Sequence, residues 1–341
     1  MGLFSFLTQE IAIDLGTANT LIIMNDKVVV DEPSIVAKDI KSDKVVEVGK
    51  RAQQMHGKTH ELIKTVRPLR DGVIADFQAA EKMIREMIKM IGLKKSLFNP
   101  SLRMVICIPS GITEVEKRAV KDSAEHAGAK EVYLIHEPMA AAIGIGIDVV
   151  EPMGNMIIDI GGGTSEIAVI ALGGIVTDKS IRVAGDDFTK DIEEYMRRQH
   201  NILVGERTAE SIKINVGAAL PELENPPEDF AVQGRDLMTG IPKEIVISYS
   251  EVAHALDKTI SKIEEAILSA LNDTPPELSA DIFKTGIYLA GGGSMLRGLD
   301  KRIQIKTKLP VHIAEDPLRA VARGTSIALK NINKFQFLIR D

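Results

Sequence analysis

Carboxylates that end short apolar strands and precede glycine are the residues best suited to chemistry in this chain. The run Met156-Ile157-Ile158-Asp159-Ile160-Gly161-Gly162-Gly163-Thr164-Ser165-Glu166 stops a strand at an acid, turns over glycines and restarts as Ile167-Ala168-Val169-Ile170. Glycine lets main chain approach an anion closely, and successive N–H groups there form a nest for phosphate. An ordinary glycine turn has the same sequence, so this stretch alone leaves both readings open. The theme recurs at Ile11-Ala12-Ile13-Asp14-Leu15-Gly16-Thr17-Ala18-Asn19-Thr20, 159 − 14 = 145 residues earlier. A third strand, Gly286 to Ala290, runs into Gly291-Gly292-Gly293-Ser294. The repeated strand-Asp-Gly turn predicts two similar halves facing one ligand, each with one phosphate loop. Neither turn reads Gly-x-Gly-x-x-Gly opening a helix, so a dinucleotide fingerprint fits poorly.

Elements that would hold these residues alternate between strand and helix, which makes the chain α/β. Ala80, Met83, Ile84, Met87, Ile88 and Ile91 form the apolar stripe of a helix over Gln78 to Ile91. Thr113-Glu114-Val115-Glu116 is a capping box opening a helix that ends at Gly128. Strand Val132 to Ile135 delivers His136 and Glu137, and Ala140 to Gly146 is a helix of small residues that admits close approach of another element. Further helices are read over Glu206 to Ala219, from a Ser250 cap to the stop at Pro275-Pro276, and over Pro317 to Leu329. Residues 221–242 read as an exposed loop with a short hairpin, and residues 33–66 as a separate small lobe. In that lobe His56 and His60 are four apart with Gly57 between them; no further ligand completes a metal site, so they read as solvated residues.

At 341 residues the chain makes about two domains, and its 45% apolar and 26% charged residues are those of a soluble globular protein. The formal charge of −6 argues against a nucleic-acid partner. The single cysteine, Cys107, lies in an apolar run and excludes an intrachain disulfide framework. No apolar segment approaches the ~20 residues that span a bilayer. The start, Met1-Gly2-Leu3-Phe4-Ser5-Phe6-Leu7, lacks the basic region and cleavage site of a signal peptide and misses the myristoylation pattern.

Asp14-Leu15-Gly16-Thr17, Asp159-Ile160-Gly161-Gly162-Gly163-Thr164 and Ala290-Gly291-Gly292-Gly293-Ser294 resemble the two phosphate loops and the adenosine loop of the actin-like ATPases. Within that superfamily the chain resembles the MreB family of bacterial actins from end to end. Asp71 to Asp76, Ile108 to Thr113, Glu137 to Gly144, Arg182 to Asp186, Arg207 to Glu210 with Ile212-Lys213, Thr274 to Leu278 and Ala314 to Leu318 carry it. The resemblance implies an actin-like fold: two similar α/β domains around a central nucleotide cleft, each with a smaller subdomain. Its boundaries would be 1–32, 66–145 and 315–341 for IA, 33–65 for IB, 146–179 and 241–314 for IIA, and 180–240 for IIB.

It also implies ATP and Mg²⁺ as cofactors. Gly16, Thr17, Ala18 and Asn19 would hold phosphate from one side and Gly161, Gly162 and Gly163 from the other, with Asp14 and Asp159 orienting the metal through its waters. Glu137 would polarise the attacking water and Thr164 help place it. Glu210 and Lys213, three apart on a helix, would reach the nucleoside, and Gly291, Gly292, Gly293 and Ser294 the adenine; the bland reading of the Glu210–Lys213 pair is a surface ion pair.

The same resemblance implies filaments, paired and antiparallel in the family, on the inner face of the cytoplasmic membrane. Leu3, Phe4, Phe6 and Leu7, and the pair Leu97-Phe98 beside Lys94 and Lys95, are the candidate membrane contacts. RodZ-, MreC- and MreD-like elongation proteins are the implied partners, and control of peptidoglycan elongation and rod shape the implied output. Two other classes share the core. A small-molecule kinase usually carries an acceptor-binding Asp as base where this chain has Glu137, and a chaperone-type switch would need a substrate-binding domain beyond the apolar tail Phe335-Gln336-Phe337-Leu338-Ile339.

Overall fold

Strand after strand in this chain alternates its apolar residues between two faces, and the fold uses both. A computed structural model describes residues 8–92 and 101–340. The first sheet has the order Ala129–His136, Ser101–Ile108, Thr8–Leu15, Asn19–Met24, Lys27–Pro33. The second runs Val311–Ile313, Ile287–Ala290, Asn155–Ile160, Ser165–Ala171, Gly174–Ile181. In each, the central Asp-bearing strand pairs antiparallel with the strand that follows it and parallel with one from later in the chain. The repeat read from Asp14 and Asp159 is therefore a repeat of topology.

Between the sheets lie two helices, Glu137–Gly144 and Ala320–Lys330, in a core with Ala12, Cys107, Ile135, Ile157, Ala168 and Ala290. Ile11 and Ile13, on the other face of the first sheet, pack with Met83 and Met87 of helix Phe77–Met90. Ile158 and Ile160, on the other face of the second sheet, pack with Phe188, Ile212 and Ile260. The central helices touch through backbone: a Cβ on Gly324 would overlap the Ala140 carbonyl, and one on Gly144 the Ala320 carbonyl. The small residues expected to admit a close neighbour do so. The end of the chain returns to the first sheet, where Ile339 and Leu134 exchange backbone hydrogen bonds of 3.0 Å.

Two small lobes extend the halves. One is the sheet Val45–Val48, Val36–Asp39, Ile63–Val66 with helix Lys50–Met55; the other is Ile202–Leu203, Phe230–Asp236, Pro242–Ile247 beside helices Gly185–Gln199 and Glu206–Val216.

Two local expectations are corrected. The long helix is Tyr249–Asn272, and its cap is Ser248 rather than Ser250: Ser248 and Glu251 form the reciprocal capping box, the spacing that satisfies both exposed N–H groups. Pro275-Pro276 stops that helix but also starts another, Pro276–Thr285, because proline at the first helical position surrenders an N–H that has no partner anyway. The membrane candidates Leu3, Phe4, Phe6, Leu7, Leu97 and Phe98 lie outside the described residues. No helix among the described residues is long and apolar enough to cross a membrane.

Candidate functional site

Both Asp-bearing strands end at the same place between the halves, and their turns meet. A Cβ on Gly162 would lie 2.7 Å from the Ala18 Cβ, and one on Gly163 2.7 Å from Thr17 Oγ1 and 2.9 Å from Asp71 N. Glycine is required here by approach, since neither residue has a positive φ. A tight turn at Asp71 (φ 51°) and Gly72 (φ 77°) wedges between the loops. Gly72 N donates to Thr17 Oγ1 at 3.0 Å, and its Cα faces Thr164, where an added Cβ would lie 2.8 Å from Cγ2. The first loop is braced from behind by Ser34, whose hydroxyl donates to the Gly16 carbonyl at 2.6 Å.

The second loop is held by a helix N-terminus. Gly185 N and Asp186 N donate to the Gly161 and Gly162 carbonyls at 3.1 and 2.8 Å, and Gly161 N closes the turn on Thr164 O at 2.9 Å. The third turn packs on the second strand: Gly291 (φ 78°) admits no Cβ beside Asp159 Oδ1 and the Ile160 carbonyl. Ser294 is fully buried and its hydroxyl donates to Gly291 O at 2.7 Å, so this side chain serves the turn. Glu210 and Lys213 form an ion pair of 2.7 Å. Thr189 donates to Glu210 at 2.7 Å, and Lys213 reaches the Gly185 carbonyl at 2.8 Å, tying the pair to the base of the second loop.

Four carboxylates converge on this cleft. Burial pushes Asp159 up to about 8, with help from the charges of Asp14 and Glu166. Its Oδ1 is buried with no hydrogen-bond partner. Burial also raises Asp14, to about 6, against the Cys107 thiol that donates to its Oδ1 at 3.1 Å. Glu137, the first residue of its helix, is held well above the usual range by burial and then by Glu166, Asp159 and Asp14.

Glu166 is the member that sequence reading left without a role. It is fully buried, accepts Ser110 N at 3.1 Å and Ser180 Oγ at 2.6 Å, and takes a further hydrogen bond from the Ser110 hydroxyl. An acid inside an otherwise apolar strand was the signal available, since burying a charge is costly unless it is hydrogen-bonded.

The donor set fits a hard divalent cation. Asp159 offers an orphaned carboxylate oxygen and Asp14 repels it until a positive charge intervenes. Among the described residues no group of three or more His, Cys, Asp or Glu side chains could hold a metal, so the protein would supply at most these two carboxylates.

At the mouth, Ala18, Ser34, His56, Arg67, Glu206, Arg207 and Glu210 line a cavity of about 70 Å³, small beside the roughly 300–1,000 Å³ of ligand pockets. His56 is not the solvated residue expected: its ring bridges Thr65 Oγ1 at 2.7 Å and Glu206 at 3.1 Å. A larger cavity of about 310 Å³ lies elsewhere, lined by Ser110, His136, Met139, Gly173, Asp178 and Phe337. The larger cavity touches neither glycine loop, whereas the smaller one reaches the first loop through Ala18.

With this geometry in view, the comparisons are specific. The family model described as MreB/Mbl protein matches residues 8–337. The cell shape-determining protein Mbl of Bacillus subtilis (strain 168) is 46% identical over 327 residues, 96% of this chain and 97% of that protein. MreB5 of Spiroplasma citri bound to ADP superposes with a TM-score of 0.90 at 39% identity, covering 96% of this chain and 99% of the other. Its AMPPNP-bound form gives 0.89 at 40%, covering 96% and 97%.

Proposed function

The chain belongs to the MreB/Mbl family and has the actin-like ATPase fold, and from that premise we propose that it is a cytoskeletal ATPase. ATP binding between the halves would drive its assembly into filaments, and hydrolysis would time their disassembly. The observation that carries this reading is the convergence of Asp14, Asp159 and Glu137 on paired glycine loops. One relative, MreB5 of Spiroplasma citri, is bound to ADP in one structure and to AMPPNP in another, which supports a nucleotide as the ligand.

Gly161 N is committed to the turn, leaving Gly162 and Gly163 to donate to phosphate opposite Gly16 to Asn19. Because the loops touch, a nucleotide enters by parting them. Asp14 and Asp159 would hold Mg²⁺, which when bound neutralises phosphate charge and lowers both carboxylates toward their ionised forms. Glu137, in the first turn of its helix and facing the loops, takes the proton of the attacking water. Thr164, at the tip of the second loop, orients that water. Glu210 and Lys213 would face ribose and base, and the glycine turn Gly291 to Gly293 would offer the adenine backbone without side chains. The four-subdomain division is proposed with IB at 33–65 and with IIB starting at 180 but running past 240, because the strand Pro242–Ile247 pairs with Phe230–Asp236 of that lobe.

Attachment to the cytoplasmic membrane would come from Leu3, Phe4, Phe6 and Leu7 and from Leu97 and Phe98. A few such side chains give a monomer weak attachment, and a filament multiplies it. The elongation machinery, with RodZ-, MreC- and MreD-like proteins, is the proposed partner. The helix Glu114–His126 and the hairpin Phe230–Asp236/Pro242–Ile247, with Val115 80% and Met238 84% exposed, are the surfaces proposed for contact between subunits.

Pelleting, electron microscopy and phosphate release with Mg-ATP test the reading. The wild type should assemble and hydrolyse slowly, and Glu137→Ala should bind and assemble but scarcely hydrolyse. A protein that stays monomeric under every nucleotide and lipid condition would end the filament reading. For the membrane, vesicles should lose a variant lacking residues 1–8 with Leu97 and Phe98 changed to Ser; undiminished co-sedimentation would remove those residues from the role.

A further inference from the structure

Charge joins the two small lobes across the mouth of the cleft. His56, just past helix Lys50–Met55, and Arg67, just past strand Ile63–Val66, come from one lobe. Asp186, in the first turn of Gly185–Gln199, and Glu206, at the start of Glu206–Val216, come from the other. Arg67 Nη1 lies 3.3 and 3.4 Å from the two Asp186 oxygens, while its Nη2 bonds Glu206 Oε1. The other Glu206 oxygen lies 3.1 Å from His56 Nε2, and the opposite ring nitrogen is anchored by Thr65. Among the described residues, these are the ion pairs that join the two lobes.

We propose that Arg67, His56, Asp186 and Glu206 form a clasp over the nucleotide cleft, and that its opening sets the rate at which nucleotide leaves. The inference rests on the nucleotide reading above. The same cavity wall holds Arg67, His56 and Glu206 together with Ala18 of the first glycine loop and Glu210, so the clasp roofs the space beside the loops. Its guanidinium spans two carboxylates on two different helices, a forked geometry that one arginine supplies and a lysine does not. The side chains remain 28–39% exposed. Water therefore reaches them, and the clasp can open without leaving a buried charge stranded. Exposed pairs are screened by salt, so release should quicken with ionic strength only while the clasp is intact.

Stopped-flow release of a fluorescent ADP analogue tests this with Arg67→Ala, Glu206→Ala and the double variant. Each single change should speed release about tenfold, the factor equivalent to about 1.4 kcal/mol. The double should be faster than either single, since each single leaves one bridge in place (His56–Glu206 or Arg67–Asp186), yet slower than the product of the two effects, because both singles already remove the Arg67–Glu206 contact. The salt dependence of the wild type should shrink in all three. Wild-type release from Arg67→Ala, or effects that multiply in the double, would overturn the clasp. A second measurement needs no nucleotide. Cys107 is buried and the chain has no other cysteine, so spin labels at Lys58→Cys and Arg197→Cys report the lobes alone. Their separation should lengthen or broaden when Arg67→Ala is added, and an unchanged distribution would overturn the proposal. A wild type that fails to bind the analogue refutes the nucleotide reading instead, and the label distances still decide the clasp.

Discussion

In the first half the central strand delivers Asp14, whose Oδ1 receives the Cys107 thiol at 3.1 Å; in the second it delivers Asp159, whose Oδ1 meets no donor. Strand order and pairing are otherwise the same. The strands that lead into the two central helices repeat the pattern of likeness and difference. His136-Glu137-Pro138 opens one helix with its acid in the cleft, and Glu315-Asp316-Pro317 precedes the other with Asp316 beside Arg319 at 3.7 Å on the surface. Topology thus fixes where an acid stands, and its immediate neighbours fix whether it is buried among other carboxylates, left without a donor or half of an exposed ion pair.

The largest expected effect sets the corresponding acids against each other. Glu137→Ala should lower the hydrolysis rate at least about a hundredfold, some 2.7 kcal/mol of barrier, whereas Asp316→Ala should leave it within about twofold, since an exposed pair contributes little. Phosphate release under saturating ATP measures both, and equal losses would make the halves chemically equivalent.

Next comes a position where the halves should behave alike. A methyl at Gly144 or Gly324 would overlap the facing carbonyl. Each change to Ala should destabilise by about 1–3 kcal/mol, net of the roughly 1 kcal/mol that Ala gains over Gly in a helix. Urea unfolding should give similar losses for the two.

The carboxylates then separate by pH, with divalent cation chelated. An acid whose folded pKa lies above its unfolded value keeps a proton that the unfolded chain releases, so it costs stability as pH rises between the two values. For Asp14 that window runs from 3.8 to about 6, and for Asp159 from 3.8 to about 8. The stability gained by Asp14→Asn should level off above pH 6, while that from Asp159→Asn should keep growing to pH 8, at most by about 1.4 kcal/mol per pH unit. Parallel profiles would erase the asymmetry.

Smallest is Cys107→Ala. Burial pushes the thiol well up, so it stays a donor, and its loss should cost about 1 kcal/mol, more above pH 6 than below it. The same unfolding curves read it.

Much of this was legible because it is local. Asp14, Asp159, the glycines and Glu137 sit at strand ends that period and turn residues announce. Thr113 and Glu116 wrote their capping box into four consecutive residues. What escaped is long-range. Glu166 takes its hydrogen bonds from residues 56 and 14 positions away, and His56 meets Glu206 150 positions on. No periodicity encodes such pairs, so His56 read as solvated until the fold placed an acid opposite it. Glycine's purpose was half legible: its presence marked the loops, but only packing shows that Gly162 and Gly163 are required by the opposite loop.

The crossing of the two central helices has a mechanical meaning. Where Gly144 and Gly324 meet, main chain packs directly on main chain, and the Arg323 side chain bonds the Gly144 carbonyl beside it. Such a contact fixes how closely the two halves approach, since any side chain at either glycine would force the helices apart.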